Sequence, residues 1–530
     1  MLQIALWNIF EAQVIASADY ENPIQDITLQ VIFMSPKGER FTVQGFWDGG
    51  KIWKIRFSPN EPGKWTYQTQ SSDKGLNNQK GEFECLPYVG NNPLYVRKAH
   101  QRLRLMAHGA IKVSDNGRFL TYSDGTPFFW LSDTAWNGVL LSDEKSWQTY
   151  LRDRVSKGFT AIQFVTTQWR AAKGDADGRL AFTGTDRIHI NPEFFQRMDK
   201  MMDMLNENGL IAAPVLIWSC TRIDPGQTVP EDGLIVLAKY MVARYGAHQV
   251  IWFLGGDGNY MGERAEKWRR IGRAVFGEHP NRLVTMHPGG MQWVDDEFRH
   301  EPWFSFNGYQ SGHGDDERTL RWLCEGPPAQ DWKKEPHHPY INLEPNYEAH
   351  VSYQSRKMFS DRDVRRAAYW SLLVSPTAGI TYGGHGVWSW QLEAGEPMEH
   401  SGTGVAKPWY EAMNLPGSMQ MKHLKNFFSA IKWWTLRPSP ELLLEQPGIV
   451  DPRKFVVAAK SEDSSCAILY LTEGMTIKVN TDHVKDAKIA KWFNPRTGEW
   501  SESFKVNNGI ETFTPSDTED WILWIGLNTN

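Results

Sequence analysis

Between residues 128 and 390, short apolar runs alternate with longer stretches whose apolar positions recur every three or four residues. Uninterrupted apolar runs suit strands buried on both faces, and the periodic stretches suit amphipathic helices laid over them. Eight such pairs predict an α/β chain built on a (β/α)8 TIM barrel, in which chemistry collects at the C-terminal ends of the strands. The predicted strands are Phe128 to Ser132, Ala161 to Thr166, Ile211 to Trp218, Gln249 to Asp257, Leu283 to Met286, Phe304 to Asn307, Tyr340 to Leu343, and a run from Ile380 toward Trp390.

Start and stop signals frame the helices. Ser142 reads as the cap of a helix over about 143 to 157, with Trp147, Tyr150, Leu151 and Val155 on one face and Gly158 as its stop. Asn191 and Pro192 open another, whose stripe of Phe195, Met198, Met202 and Leu205 reads as core because its spacing is helical. Ser360 with Asp363 three residues on gives a capping-box-like start to a helix over 361 to 373.

The barrel has a β-rich flank on each side. Residues 1 to 93 read as a small β-sandwich, with strand-like runs at Ile27 to Phe33, Trp53 to Phe57 and Trp65 to Thr69, turn signals between them, and an exit at Asn91-Asn92-Pro93. Residues 94 to 436 hold a bridging segment and the barrel. Arg437-Pro438-Ser439-Pro440 reads as a linker to a second β-sandwich over 437 to 530, whose hairpin signal is Asn494-Pro495-Arg496-Thr497-Gly498.

Composition adds one strong hint. The 530 residues include 25 Trp, 17 Tyr and 26 Phe. Aromatic planes cover the C–H faces of sugar rings while edge groups bind hydroxyls, so this richness leans toward carbohydrate, although most single tryptophans pack in cores. A net charge of −5 argues against a nucleic-acid partner. The one basic run, Arg97, Lys98, His100, Arg102 and Arg104, alternates with apolar residues and reads as the solvated face of a strand. No apolar run approaches the ~20 residues of a membrane span. The stretch before Glu11 lacks a positive start, so no signal peptide is predicted and a cytoplasmic location is expected. Four scattered cysteines give neither a disulfide framework nor a zinc pattern, and Cys220 reads as a buried structural thiol.

Two predicted strands end in acids, Asp257 on strand four and Glu344 on strand seven. Cleaving a glycosidic bond needs a proton donor for the leaving oxygen and a second carboxylate to attack or to activate water. Strands four and seven face each other across a barrel mouth, so a pair about 5 Å apart, the retaining geometry, is expected. The bland alternative is a structural ion pair with an arginine. Candidate sugar-binding residues fall along the same rim: Asp133 and Trp136 after strand one, Gln168, Trp169 and Arg170 after strand two, and Trp218 closing strand three. Asn259 follows Asp257, His287 closes strand five, Tyr309, Gln310 and His313 follow strand six, and Tyr382, His385 and Trp388 follow or end strand eight. Gly255-Gly256-Asp257-Gly258 and Gly383-Gly384-His385-Gly386 lack phosphate-loop spacing, and glycines beside an acid suggest close substrate approach to the backbone. His337-His338 has no matching ligand set, so neither metal nor cofactor is expected.

The stretches Gly125 to Trp136, Trp252 to Asp257, the Glu344 strand and Tyr382 to Trp388 resemble the apiosidase-like family of glycoside hydrolases. The flanks resemble that family's neighbours, an N-terminal immunoglobulin-like domain and a C-terminal collagen-binding-type β domain. The resemblance spans nearly the whole chain and implies Asp257 as acid/base and Glu344 as nucleophile. The wider barrel-glycosidase clan carries Asn-Glu where this chain has Gly256-Asp257. The family's activity on the pentose apiose in plant pectin does not fix the sugar. The expected function is therefore hydrolysis of an oligosaccharide derived from plant or microbial polysaccharide. The rival reading is a non-catalytic carbohydrate-binding or scaffold protein, which needs no acid on both strands.

Overall fold

A computed structural model describes residues 1–87, 108–277, 282–485 and 487–527. The barrel strands are β1 (Trp130–Thr134), β2 (Ala161–Val165), β3 (Ile211–Trp218), β4 (Trp252–Gly258), β5 (Val284–Pro288), β6 (Asn307–Gln310), β7 (Tyr340–Glu344) and β8 (Gly379–Tyr382). Their ladder runs 5-4-3-2-1-8-7-6, all parallel. The remaining seam between β5 and β6 is stitched by Ser305 N–H to the Val284 carbonyl at 2.9 Å and by Gly308 N–H to Thr285 Oγ1 at 2.9 Å. Trp130, Phe253 and Phe306 fill the interior.

Among the covering helices are α1 (Glu144–Ser156), α2 (Pro192–Glu207), α3 (Glu231–Tyr245), α4 (Glu317–Glu325), α5 (Asp361–Leu373) and α6 (Pro416–Ser429). The caps at Asn191 and Ser360 form as expected, the latter with Asp363 in a full capping box. The cap of α1 is Asp143, not Ser142: its carboxylate accepts from Ser146 N–H at 2.6 Å, and Ser142 is buried. An ionised acceptor at a helix start also meets the positive end of the dipole, which a hydroxyl does not.

Only β3 coincides with its expected run; β2 and β7 differ by one residue at their ends, and β4 starts three residues late, at Trp252. Phe128 belongs to a small hairpin sheet, where it pairs with Leu120, so β1 starts at Trp130. β5 runs two residues further, to Pro288. β6 begins where Phe304 to Asn307 was expected to end, because the polar Asn307 and Gln310 that bound it look like loop in a sequence. β8 stops at Tyr382, and the glycines after it turn the chain.

The N-terminal flank is two packed sheets, of five and three strands. The C-terminal flank is a seven-stranded sheet with a two-stranded companion. The expected linker is not free chain: Leu436–Pro438 is the edge strand of that sheet, a position where a proline costs no ladder bond. The Asn91 to Pro93 exit and the basic run at Arg97 to Arg104 lie outside the described residues. No helix among the described residues is long and apolar enough to cross a membrane.

Both flanks are bolted to the barrel by buried charge. Asp199 on α2 accepts from Arg244 on α3 at 2.7 and 2.6 Å and from Arg56 of the N-terminal domain at 3.2 and 2.9 Å. Arg365 on α5 donates twice to Asp520 of the C-terminal domain, at 2.8 and 2.7 Å. Burial opposes ionisation of Asp199, but the two guanidiniums outweigh it and pull its pKa down to about 2. Its contribution is therefore complete above the ordinary aspartate range and lost only as pH falls toward about 2. Asp199→Ala should cost about 3 kcal/mol, the lower end for breaking a buried pair, because two buried arginines lose the carboxylate they share while Arg56 keeps Glu11 and Arg244 keeps Asp48. Urea unfolding at pH 7 followed by tryptophan emission checks this; a loss below about 1 kcal/mol would mean that the network is not what holds the domain.

Candidate active site

β7 delivers Glu344 to the mouth, where it is 7% exposed. His313, from the loop after β6, stands with Nε2 2.9 Å from one carboxylate oxygen, and His287 Nε2 on β5 stands 3.3 Å from the other. The Tyr347 N–H donates to His313 Nδ1 at 3.4 Å, so the neutral ring carries its proton on Nε2 and donates it to Glu344. Burial alone would keep Glu344 protonated. The two imidazoles outweigh it and hold the carboxyl well below the usual range.

Asp257 stands near the end of β4, where the pairing with β5 slips on both sides of Gly256. Its backbone is left-handed, φ +45°, a strain of about 1–3 kcal/mol that concentrates at functional sites. A Cβ on Gly256 would fall 2.5 Å from Val215 and 2.6 Å from the Trp218 ring, and one on Gly255 would fall 2.6 Å from the Tyr260 hydroxyl. The glycines around the acid therefore make room for the protein's own aromatic residues, not for substrate at the backbone. Burial, and then the charge of Glu344, push the Asp257 pKa up to about 6 against the pull of Arg170, whose Nη2 lies 3.3 Å away. One carboxyl is held ionised while its neighbour keeps its proton into the mildly acidic range. That division lets two acids play opposite parts.

An aromatic wall completes the mouth. Trp136 meets Trp218 at 5.2 Å and His287 at 5.1 Å, and Trp169 meets Trp218 at 4.5 Å. Trp388, whose carbonyl accepts from Asn137 N–H at 3.0 Å, donates its Nε1–H to His385 Nδ1 at 3.1 Å. Gln310, in register with Glu344 across the β6–β7 ladder, has a buried Oε1 without a protein partner. Asp257, Glu344, Trp136, Trp169, Arg170, Trp218, His287, Gln310, His313 and Trp388 are thus gathered.

Six other sequence-predicted residues do different work. Asp133 lies within β1 and turns outward, fully buried against α1, with Arg154 Nε at 2.6 Å and the Tyr150 hydroxyl at 2.6 Å. Tyr309 also turns outward, packing on Trp293 and on Trp322 of α4. Tyr382 donates to Glu348 at 2.5 Å behind the wall. Gln168 spends its amide on Phe182 and Ala181 backbone, and Asn259 caps Met261 N–H in an exposed turn. His385 uses both ring nitrogens, on Trp388 and on the Gly404 carbonyl, and so supports the wall from behind. Cys220 is exposed, not buried, and stands close enough to Asp257 that the carboxylate adds to desolvation in raising its thiol pKa.

Three residues at the mouth escaped the sequence reading. Tyr347 lies three residues past Glu344 with its ring 4.4 Å from that of His313. His350 stacks on His313 at 4.3 Å. His400, in the long loop after β8, stands 4.8 Å from Trp388 and 5.8 Å from Trp169. Only Tyr347 had a signal, its nearness to the acid.

Elsewhere, a cavity of about 1040 Å³ opens at the opposite end of the barrel, against the N-terminal domain. No carboxylate is among its described lining residues, so it offers no acid pair. Asp295, Asp296 and Asp331 cluster as metal ligands might, but Arg299 and Lys334 already neutralise them.

The family profile described as "Apiosidase-like, catalytic domain" matches residues 114–435. A "Domain of unknown function (DUF5060)" matches residues 3–72, and a "Putative collagen-binding domain of a collagenase" matches residues 438–526. A solved structure titled "Glycoside hydrolase" is 25% identical with TM-score 0.69, covering 79% of this chain and 97% of its own. A glycoside hydrolase family 5 protein from Bacteroides vulgatus ATCC 8482 is 22% identical with TM-score 0.69, covering 79% and 94%. A second structure from that strain, titled a putative glycoside hydrolase, is 18% identical with TM-score 0.71 and covers 99% and 100%; these two bear on fold alone. No curated protein is significantly similar in sequence.

Proposed function

The chain belongs to the apiosidase-like family and is a glycoside hydrolase, and on that premise we propose that it cleaves an oligosaccharide from plant or microbial polysaccharide by a retaining route through Glu344 and Asp257. Glu344 attacks the anomeric carbon while Asp257 gives its proton to the departing oxygen. A covalent glycosyl-enzyme forms, and the aglycone leaves as an alcohol. Asp257, now a carboxylate, takes a proton from water, whose oxygen attacks the same carbon and releases Glu344. Both steps invert, so the product keeps the substrate's configuration.

The observation that carries this reading is the opposite bias on the two carboxyls. Glu344 accepts from His313 and has His287 Nε2 3.3 Å from its other oxygen, which suits a group that must be anionic to attack. Asp257 is kept protonated into the mildly acidic range by burial and by Glu344 itself, which suits a proton donor. The wall of Trp136, Trp169, Trp218 and Trp388 supplies faces for a sugar ring. A binding protein gains nothing from placing two acids within each other's field.

The test is a panel of plant oligosaccharides and aryl glycosides, apiosides included, with the first-formed anomer read by proton NMR before mutarotation. Release of a sugar with retained configuration is the expected result. An inverted product would place a water between the acids and remove Glu344 as nucleophile. Binding of a glycan with no turnover of any member would favour the carbohydrate-binding reading.

A further inference from the structure

We propose that His400 is a substrate-binding residue: from the loop after β8 its ring presents Nε2 as a hydrogen-bond acceptor for a sugar hydroxyl held between Trp169 and Trp388. The assignment rests on the glycosidase reading of the Glu344 site and adds a recognition group to it.

The loop that carries His400 is anchored. It leaves the barrel at Trp390, itself left-handed at φ +52°, and Gly395 and Ala406 close it with hydrogen bonds of 3.1 and 2.8 Å. Three contacts then bind it to its surroundings. Val351 N–H donates to the Thr403 carbonyl at 3.0 Å, Arg356 donates to the Gly402 carbonyl at 2.6 Å, and His385 donates to the Gly404 carbonyl at 3.0 Å. Trp388 hangs from the other nitrogen of His385, so one face of the slot and the loop above it are set by the same ring.

The chemistry of His400 is fixed locally. Its Nδ1 lies 2.7 Å from the Met398 carbonyl, which can only accept, so the neutral ring keeps its proton on Nδ1 and its lone pair on Nε2. Burial, reinforced by Arg170, lowers the pKa to about 4 and keeps the ring neutral. No described residue donates to Nε2. On the same side of the barrel, two buried donors lack protein partners, Trp218 Nε1 and Arg170 Nε. Buried polar atoms are rarely left unpaired in folded proteins. One acceptor and two donors set among indole faces match a polyhydroxylated ring, whose C–H faces stack while its hydroxyls give and accept.

Two variants separate recognition from packing. His400→Phe keeps an aromatic ring against Trp169 and Trp388 but removes the acceptor; His400→Gln keeps an acceptor. On the aryl glycoside that wild type hydrolyses fastest, His400→Phe should raise KM about 10- to 100-fold with kcat changed less than about threefold, the scale of one lost hydrogen bond with its partner left bare. His400→Gln should recover most of that loss. A His400→Phe enzyme with wild-type kcat/KM, or a Gln variant no better than Phe, overturns the assignment, and matching melting curves exclude misfolding as the cause. If wild type turns over nothing, the glycosidase reading fails separately while binding stays readable from tryptophan emission. Methyl glycosides and D-apiose should then perturb wild type and His400→Gln but not His400→Phe. Equal responses in all three proteins, or none in wild type, also overturn it.

Discussion

Glu344→Ala is expected to reduce kcat about ten-thousand-fold or more, the scale on which removing the nucleophile of a cooperating set disables an enzyme. The fold should survive. Glu344 is buried, but its partners His287 and His313 stand at the open mouth of the barrel and belong to the strands and loops that frame it, so removing the carboxylate leaves the barrel core intact. The alanine leaves a space lined by His287 and His313 into which azide fits. Added azide should restore turnover of an activated aryl glycoside and yield a glycosyl azide of inverted configuration, because only one displacement then occurs. An alanine variant with near wild-type turnover would move the nucleophile elsewhere. An inactive variant that azide cannot rescue on any activated substrate would weigh against nucleophilic attack at this position.

Asp257→Asn should show the complementary pattern. For substrates with a poor leaving group, kcat/KM should fall about 100- to 10,000-fold, the usual contribution of a positioned general acid. For a dinitrophenyl glycoside, whose leaving group needs no proton, the loss in kcat/KM should be under about tenfold, since that parameter reports the first displacement. The wild-type pH profile supplies a second reading. The acid must be protonated, and its pKa is raised to about 6, so kcat/KM should fall as pH rises through about 6 instead of near the ordinary aspartate value. Glu344, held low by its histidines, should impose no acid limb within the stable range. Asp257→Asn should abolish the limb near 6. A wild-type profile flat from pH 5 to 8 would remove Asp257 from the proton transfer.

These two expectations share one cause. Two carboxyls in each other's field cannot both ionise freely, and what surrounds each decides which one gives way. His287 and His313 settle the matter in favour of a charged Glu344, and that charge then raises its neighbour. Arg170 works in the other direction, tempering the shift at Asp257.

The barrel was legible because its strands are bare apolar runs and its helices carry caps and periodic stripes. β3 appears as the sequence predicts, and the Asn191 and Ser360 starts are caps by the same local chemistry. The two acids were legible for a related reason. A carboxylate that closes an apolar strand has only the mouth to go to. Sequence could not say which way the other rim residues face. In a parallel barrel both sides of each strand are buried, so no polar–apolar alternation marks the inside from the outside. Asp133 and Tyr309 thus read like mouth residues although both point to the helix layer. The slips around Gly256, which set the direction of Asp257, depend on packing against Val215, Trp218 and Tyr260. His400 was invisible for another reason: it lies 56 positions past Glu344 in a loop without periodicity, and only contacts from His385, Val351 and Arg356 bring that loop to the site. Local order of apolar and polar residues therefore determined the elements and the acids at their ends, while long-range packing decided orientation, charge state and the residues that loops contribute.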